Sequence, residues 1–277
     1  MLVNTREMLE DARKNGYALP APDYVDLDSA RVFMKIAEEL GKPLLLSYPQ
    51  VLDKSLPLEE AAAIGLQIAK EAAVPVALHL DHGLDFDFVR RAIDCGFTSV
   101  MIDASAETFE ENVRRTQEVT ELAHRFDVTV EAEIGHVGQG SNYIDLEDSD
   151  TVYTTTAEAA AFAEETHVDS LAVSIGTVHG IYKNLQKPVL NFQRLHELAE
   201  AVKIPLVMHG GSGTGDENLH RCATEGIAKI NIFTDLLTGA MNQIKKDNPP
   251  DYLTLKKSAD QGMAEVLRHY YRVFEKE

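Results

Sequence analysis

Apolar positions along this chain keep switching between two rhythms. Short unbroken runs occupy residues 44–48, 76–80, 98–103, 128–133, 170–174, 206–209 and 228–232, with a weaker first member at 17–21. Each is bounded by glycine, proline or charged residues, and runs of this length suit strands that are covered on both faces. Between them, apolar residues recur at steps of three and four. Phe109, Val113, Thr116, Thr120 and Ala123 show the pattern well, and it predicts helices over residues 1–15, 28–40, 58–73, 85–95, 107–126, 156–165, 192–202, 216–225, 234–245 and 253–274. Gly16, Gly41 and Gly96 are the stop signals, and Asp28 is read as the cap of the second helix.

Eight strands in alternation with helices predict a parallel sheet, and the count of eight favours closure into a (β/α)8 TIM barrel over an open sheet. No linker or composition break interrupts residues 1–277, so one domain is expected. The helical period vanishes from Gly135 to Thr154, where glycine, Ser141, Asn142 and a string of acids take over. A loop this long inside a compact domain points to function.

Composition narrows the partners. With 277 residues and 44% of them hydrophobic, the chain can bury a full core. Its formal charge of −19 opposes nucleic acid and anionic membrane surfaces alike. Two cysteines, Cys95 and Cys222, offer no disulfide framework and no metal-type spacing, which fits a reduced cytoplasm. No segment approaches the ~18 apolar residues of a membrane span, and the N-terminus has no basic region followed by an apolar run. The protein is expected to be neither secreted nor inserted.

The candidate chemistry lies at strand exits. Three of them end in histidine followed by glycine: His82-Gly83, His179-Gly180 and His209-Gly210, after the third, sixth and seventh strands. In a barrel these exits share one mouth, so the three imidazoles would converge, and three protein ligands with an open fourth position is the pattern of a catalytic zinc. Asp81 precedes one of them, placed either to move a proton or to orient a ligand. His79 points to the same side as Asp81, either to support a ligand from behind or simply to fill the barrel, and filling is favoured because the surrounding strand is apolar. Glu131 and Glu133 also share a side, and one of the two would serve the metal or form a strand-end ion pair. Gly210-Gly211-Ser212-Gly213 opens into a helix, and Asn231-Ile-Phe-Thr234 ends strand eight at the next helix start. Such loops, with Gly180 nearby, make a phosphate cradle of exposed amides.

These motifs resemble a known family. Leu78-His-Leu-Asp-His-Gly83, Val100-Met-Ile-Asp-Ala-Ser105, Phe109-Glu-Glu-Asn112, Val130-Glu-Ala-Glu-Ile-Gly135, Gly176-Thr-Val-His-Gly180, Leu206-Val-Met-His-Gly-Gly-Ser212 and Lys229-Ile-Asn-Ile-Phe-Thr234 are similar to stretches of the class II, zinc-dependent ketose-bisphosphate aldolases, which act on fructose or tagatose bisphosphate. The resemblance implies zinc on His82, His179 and His209, with Glu133 in support, and proton exchange by Asp81. It also implies that Gly180, Gly210, Gly211, Ser212, Asn231 and Thr234 hold the dihydroxyacetone-phosphate end of a sugar phosphate, with a monovalent cation, Na⁺ or K⁺, close by. Barrels of this type usually associate, which implies a homo-oligomer, dimer or tetramer.

Several positions depart from that pattern. The family's acidic turn after Gly135 is replaced by Gly138-Gln-Gly-Ser-Asn142, Asp23 stands where an Asn is usual, Phe233 precedes Thr234, and Asn248-Pro-Pro250 replaces the Asp-Pro-Arg that grips a second phosphate. The Gly-Ser-rich tail is missing after Phe274. Three readings follow: a zinc-dependent lyase for a phosphorylated ketose, a non-catalytic zinc-containing sugar-phosphate binder, and a metal-dependent barrel hydrolase. The last lacks the His-x-His of strand one and leaves the glycine cradle without a use.

Overall fold

The computed structural model describes residues 1–135, 138–139, 153–179 and 188–276, with the backbone alone at 138–139 and 178–179. Eight parallel strands alternate with helices: β1 (Leu19–Pro22), β2 (Leu44–Pro49), β3 (Val76–Gly83), β4 (Ser99–Ile102), β5 (Thr129–Ile134), β6 (Ser170–Val173), β7 (Leu206–Met208) and β8 (Ile227–Ile232). They hydrogen-bond in the order β1-β8-β7-β6-β5-β4-β3-β2. A bridge between Asp23 and Ser47 brings the two end strands together, with the Tyr24 amide donating to the Ser47 carbonyl at 3.0 Å. The result is the expected (β/α)8 barrel.

Alternation along the strands sorts the residues into two cores. Leu44, Leu46, Val76, Leu78, Leu80, Val100 and Val130 face outward and pack with Phe33, Phe97 and other helix residues into the main core. Leu19, Ala21, Leu45 and Ala77 form a second cluster with Met8 and Leu9 of α1 (Arg6–Asn15), plugging the end of the barrel where the strands begin. Above that plug the interior turns polar: Ser47, His79, Ser99, Glu131 and Lys229 are all buried. The expectation that His79 lies in an apolar interior is therefore wrong in its premise. The apolar residues flanking it face the helices, and its own side of the strand is polar.

Five helix starts also differ from the sequence reading, at residues 6, 27, 86, 109 and 252, and the first two have a clear cause. The first helix begins at Arg6, because Leu2 pairs in parallel with Val76 and the chain before Asn4 is extended against the sheet. In α2 (Leu27–Leu40) the cap is Asp26, not Asp28. Asp26 accepts from the Ser29 amide at 2.8 Å while the Ser29 hydroxyl accepts from the Asp26 amide, a reciprocal capping box.

One irregularity places the site. Strand β3 runs on through Asp81 and His82 to Gly83, but its register with β4 slips between Leu80 and Gly83, and His82 takes φ 48°. In a regular strand Asp81 and His82 would point to opposite faces. The bulge lets both serve the mouth, the use to which such irregularities are commonly put. Gly83 is required there: a Cβ would lie 2.5 Å from the Met101 carbonyl oxygen. Gly83→Ala should destabilise the protein by about 1–3 kcal/mol, the usual range for overpacking, which thermal or urea unfolding would measure. An unchanged unfolding midpoint would mean that the β3–β4 contact is not tight.

Candidate active site

At the end of the barrel where the strands finish, Asp23, Pro49, Val51, Asp81, His82, Gly210, Gly211, Ser212, Asn231, Phe233 and Thr234 line a cleft of about 250 Å³. Below its floor the polar side chains form one connected chain of hydrogen bonds. The Lys229 ammonium, 0% exposed, donates to both Glu131 oxygens at 2.9 and 2.8 Å and lies 3.1 Å from His79 Nε2, so three acceptors match its three protons. His79 Nδ1 sits 2.8 Å from the Ser99 hydroxyl. Burial, then the Lys229 charge, pushes the His79 imidazole well below its ordinary value, so it is neutral, with Nε2 accepting from Lys229 and Nδ1–H donating to Ser99.

Glu131 links this base to the mouth. Its Oε1 lies 2.9 Å from His209 Nε2, and His209 Nδ1 lies 2.8 Å from His82 Nε2, with the two rings nearly perpendicular and their centroids 4.5 Å apart. His82 Nδ1 in turn meets Asp103 Oδ2 at 2.8 Å, and Asp103 Oδ1 accepts from the Ser105 amide and hydroxyl. Both imidazoles thus have one nitrogen held by a carboxylate, and their other nitrogens meet each other. This is the arrangement by which proteins orient metal-ligating histidines.

The electrostatics agree. Burial alone would lower the His82 pKa, but the Asp81 charge, the Asp103 hydrogen bond and the Glu133 charge raise it to about 10. His82 without a metal is an imidazolium, whose Nε2–H donates to His209 Nδ1. The carboxylates of Asp81, Asp103 and Glu133 favour this positive charge. Asp81, His82 and His209 could share one ion, as could His82, Asp103 and Glu133. Glu133 Oε2 lies 3.7 Å from His209 Nδ1.

Asp81 is buried beside this pair. Its Oδ1 accepts from the Asn231 amide at 2.7 Å and its Oδ2 is 4.0 Å from His82 Nε2. Burial would raise its pKa, yet His82, His209 and Lys229 together hold it below the usual carboxylate range, so it is ionised at neutral pH. Asp23 behaves oppositely: burial and the neighbouring Asp81 charge push its carboxyl upward.

The glycine stretch folds as a tight turn. Gly210 takes φ 68° and Gly211 packs against β8 so closely that a Cβ would meet the Asn231 carbonyl oxygen at 2.8 Å. Ser212 accepts from the Asp235 amide at 3.2 Å, and the Gly213 amide donates to Asp235 Oδ2 at 3.0 Å, a carboxylate that also accepts from the Tyr270 hydroxyl. Thr234 opens the helix Thr234–Asp247 at the cleft wall.

The structure therefore brings Asp81, His82, Gly210, Gly211, Ser212, Asn231 and Thr234 to one cleft, with His209 hydrogen-bonded beneath it. The backbone at His179 pairs in parallel with Gln139. The His179 side chain, Gly180 and most of the Gly138 to Asp150 loop lie outside the described residues. Of the two strand-five acids, it is Glu131, not Glu133, whose oxygen lies at hydrogen-bond distance from His209 Nε2. Sequence reasoning missed Lys229 and Asp103 as parts of the site. Two-residue alternation puts Lys229 on the side of Asn231, a signal that was available; Asp103 lies just past a strand end, and only the β3 bulge brings His82 to it.

The model for class II fructose-bisphosphate aldolases matches residues 3–277. Among solved structures, the YdjI aldolase from Escherichia coli K12 superposes with a TM-score of 0.89 at 33% identity, covering 99% of this chain and 97% of that one. A Coccidioides immitis protein proposed to be a fructose-1,6-biphosphate aldolase gives 0.85 at 27%, over 97% and 94%. The fold is shared further with the fructose-bisphosphate aldolase of Campylobacter jejuni, at 0.80 and 21% over 99% and 95%.

A metal that takes His82 Nε2 must displace its proton. Because the His82 pKa is raised from 6.5 to about 10, the proton is bound throughout the neutral range in the metal-free protein. Zinc uptake at pH 7.5 should release close to one proton from this ring, which calorimetric titration in buffers of different ionisation enthalpy would count. By the same sign, the stabilisation that His82 gives the metal-free fold is full below pH 6.5 and lost as pH rises through about 10. Zinc binding with no proton release would contradict this charge state.

Proposed function

Since the chain belongs to the class II fructose-bisphosphate aldolase family, we propose that it is a zinc-dependent carbon–carbon lyase, cleaving a phosphorylated ketose to dihydroxyacetone phosphate and an aldehyde. The observation that carries this reading is the pair His82 and His209, each anchored by a carboxylate at one nitrogen, with the other nitrogens 2.8 Å apart and close enough to Asp81 for the three to share an ion. His82, His179 and His209 would hold the zinc, with Glu133 close by. The ion supplies a Lewis acid for the ketone oxygen.

The chain's own residues account for the remaining steps. Asp81 is ionised, buried and fixed by Asn231, so its carboxylate is placed to take the proton from the hydroxyl whose oxygen becomes the aldehyde. The electron pair of the broken carbon–carbon bond passes toward the ketone, the carbon left behind takes up a proton from water, and Asp81 releases to water the one it took, so the proton count closes. Run in reverse, Asp81 returns its proton to the new hydroxyl. Gly180, Gly210, Gly211, Ser212, Asn231 and Thr234 would surround the phosphate end, where backbone amides at the start of the helix Thr234–Asp247 favour an anion and a monovalent cation would relieve the acidic surroundings. The reading treats residues 1–277 as one domain working as a homo-oligomer in the cytoplasm. No helix among the described residues is long and apolar enough to cross a membrane.

Incubating the protein with dihydroxyacetone phosphate and a panel of aldehydes, with and without a chelator, tests the activity. Chelator-sensitive condensation is expected, and its absence together with absent exchange of the ketone's α-proton would sink the lyase reading. Asp81→Asn should keep its zinc by elemental analysis while turnover falls roughly 10²–10⁴-fold. Undiminished turnover would reduce Asp81 to a structural role.

A further inference from the structure

The glycine turn that would receive the phosphate is held from behind. Asp235, on the first turn of the helix Thr234–Asp247, meets it twice: its amide donates to the Ser212 hydroxyl at 3.2 Å, and its Oδ2 accepts from the Gly213 amide at 3.0 Å. Gly210, Gly211 and Ser212 line the cleft beside Thr234, so these two contacts fix the far end of the cradle. A carboxylate this close is an ill-suited neighbour for a phosphate dianion, because like charges repel strongly where water is scarce. The same Oδ2 accepts from the Tyr270 hydroxyl. Two donors on one oxygen disperse its charge and fix its direction.

Tyr270 is placed to do this and little else. It belongs to the last helix, Tyr252–Val273, is 6% exposed, and stacks on Phe274 with ring centroids 5.4 Å apart. The end of that helix is tied to the strand starts: the Phe274 carbonyl accepts from the Ala18 amide at 3.2 Å, and the Tyr271 hydroxyl donates to the Pro43 carbonyl at 2.9 Å. The ring is therefore held in one place. Burial, then the hydrogen bond to Asp235, pushes the Tyr270 hydroxyl well above its ordinary value, so it remains a donor throughout the neutral range. Packing on Phe274 asks only for a ring; the hydroxyl reaches beyond that contact to a carboxylate whose other partner is the turn itself. Resting on the aldolase reading above, we infer that Tyr270 is a positioning residue for the phosphate end of the substrate, setting the shape and the charge of the glycine turn through Asp235 from outside the cleft.

Binding of dihydroxyacetone phosphate to the zinc-loaded protein, followed by calorimetric titration, and exchange of its α-proton test this together. Tyr270→Phe keeps the stacked ring and should melt close to wild type. It should bind dihydroxyacetone phosphate about 10-fold more weakly, with KM for exchange rising in step and kcat nearly unchanged. Asp235→Asn removes the charge that the hydroxyl disperses, so adding Tyr270→Phe to it should change affinity by less than about 2-fold. Unchanged affinity in Tyr270→Phe overturns the assignment. So does a kcat that falls as far as the affinity, or an equal loss of affinity in the Asp235→Asn background, since either makes Tyr270 a packing residue. Exchange with an affinity indifferent to Tyr270 defeats only this role. Binding that responds to Tyr270 without any exchange in the wild-type protein defeats only the lyase reading, and no binding to the wild-type protein defeats both.

Discussion

The buried ion pair of Lys229 and Glu131 is the constraint from which the rest of the site follows. It crosses the barrel from β8 to β5 with neither partner in contact with solvent, and each charge has the other as its counter-ion. A pair of this kind adds little net stability, because removing two charges from water costs about as much as their attraction returns, yet losing one partner costs about 3–5 kcal/mol. Its value here is geometric. Lys229 fixes Glu131, Glu131 fixes the His209 ring through Nε2, and His209 can then present only Nδ1 to the mouth.

The mouth is shaped by a second constraint, in the backbone. His82 reaches its position because β3 bulges after Leu80 and the residue accepts a left-handed conformation, an unfavourable choice for a residue that is not glycine. The Asp103 carboxylate then holds Nδ1. Two imidazoles face each other at hydrogen-bond distance beside Asp81, Asp103 and Glu133, whose charges raise the His82 pKa. The acidic field that would repel an anionic substrate is the same field that favours a dication, while the phosphate end meets backbone amides of the glycine turn.

Much of this was legible in the sequence. Strand exits are marked by glycine, so the His82-Gly83 and His209-Gly210 pairs and Asp81 could be placed at the mouth, and the apolar runs located all eight strands. The interior was harder to read. An apolar run such as Val76 to Leu80 suggested an apolar barrel lumen, but its large residues Val76, Leu78 and Leu80 face the helices, while Ala77 and His79 face inward. Which inward residues touch depends on register across strands far apart in sequence: Lys229 lies 98 residues from Glu131 and 150 from His79. The choice between Glu131 and Glu133 as the partner of His209 depends on a single step along β5. Asn231 carried its own lesson, since a residue placed with the phosphate cradle proves to spend its amide on Asp81.

Under the proposed function, the Lys229–Glu131 pair aims His209 at the zinc rather than stabilising the barrel. Zinc affinity of the double variant Glu131→Leu/Lys229→Met, measured by competition against a chromogenic chelator, tests it most directly, because apolar residues of similar volume remove both charges together and leave no lone ion behind. The account predicts a folded protein, by circular dichroism and thermal melting, that binds zinc about 10- to 100-fold more weakly than wild type. Wild-type zinc affinity in that folded variant would contradict it.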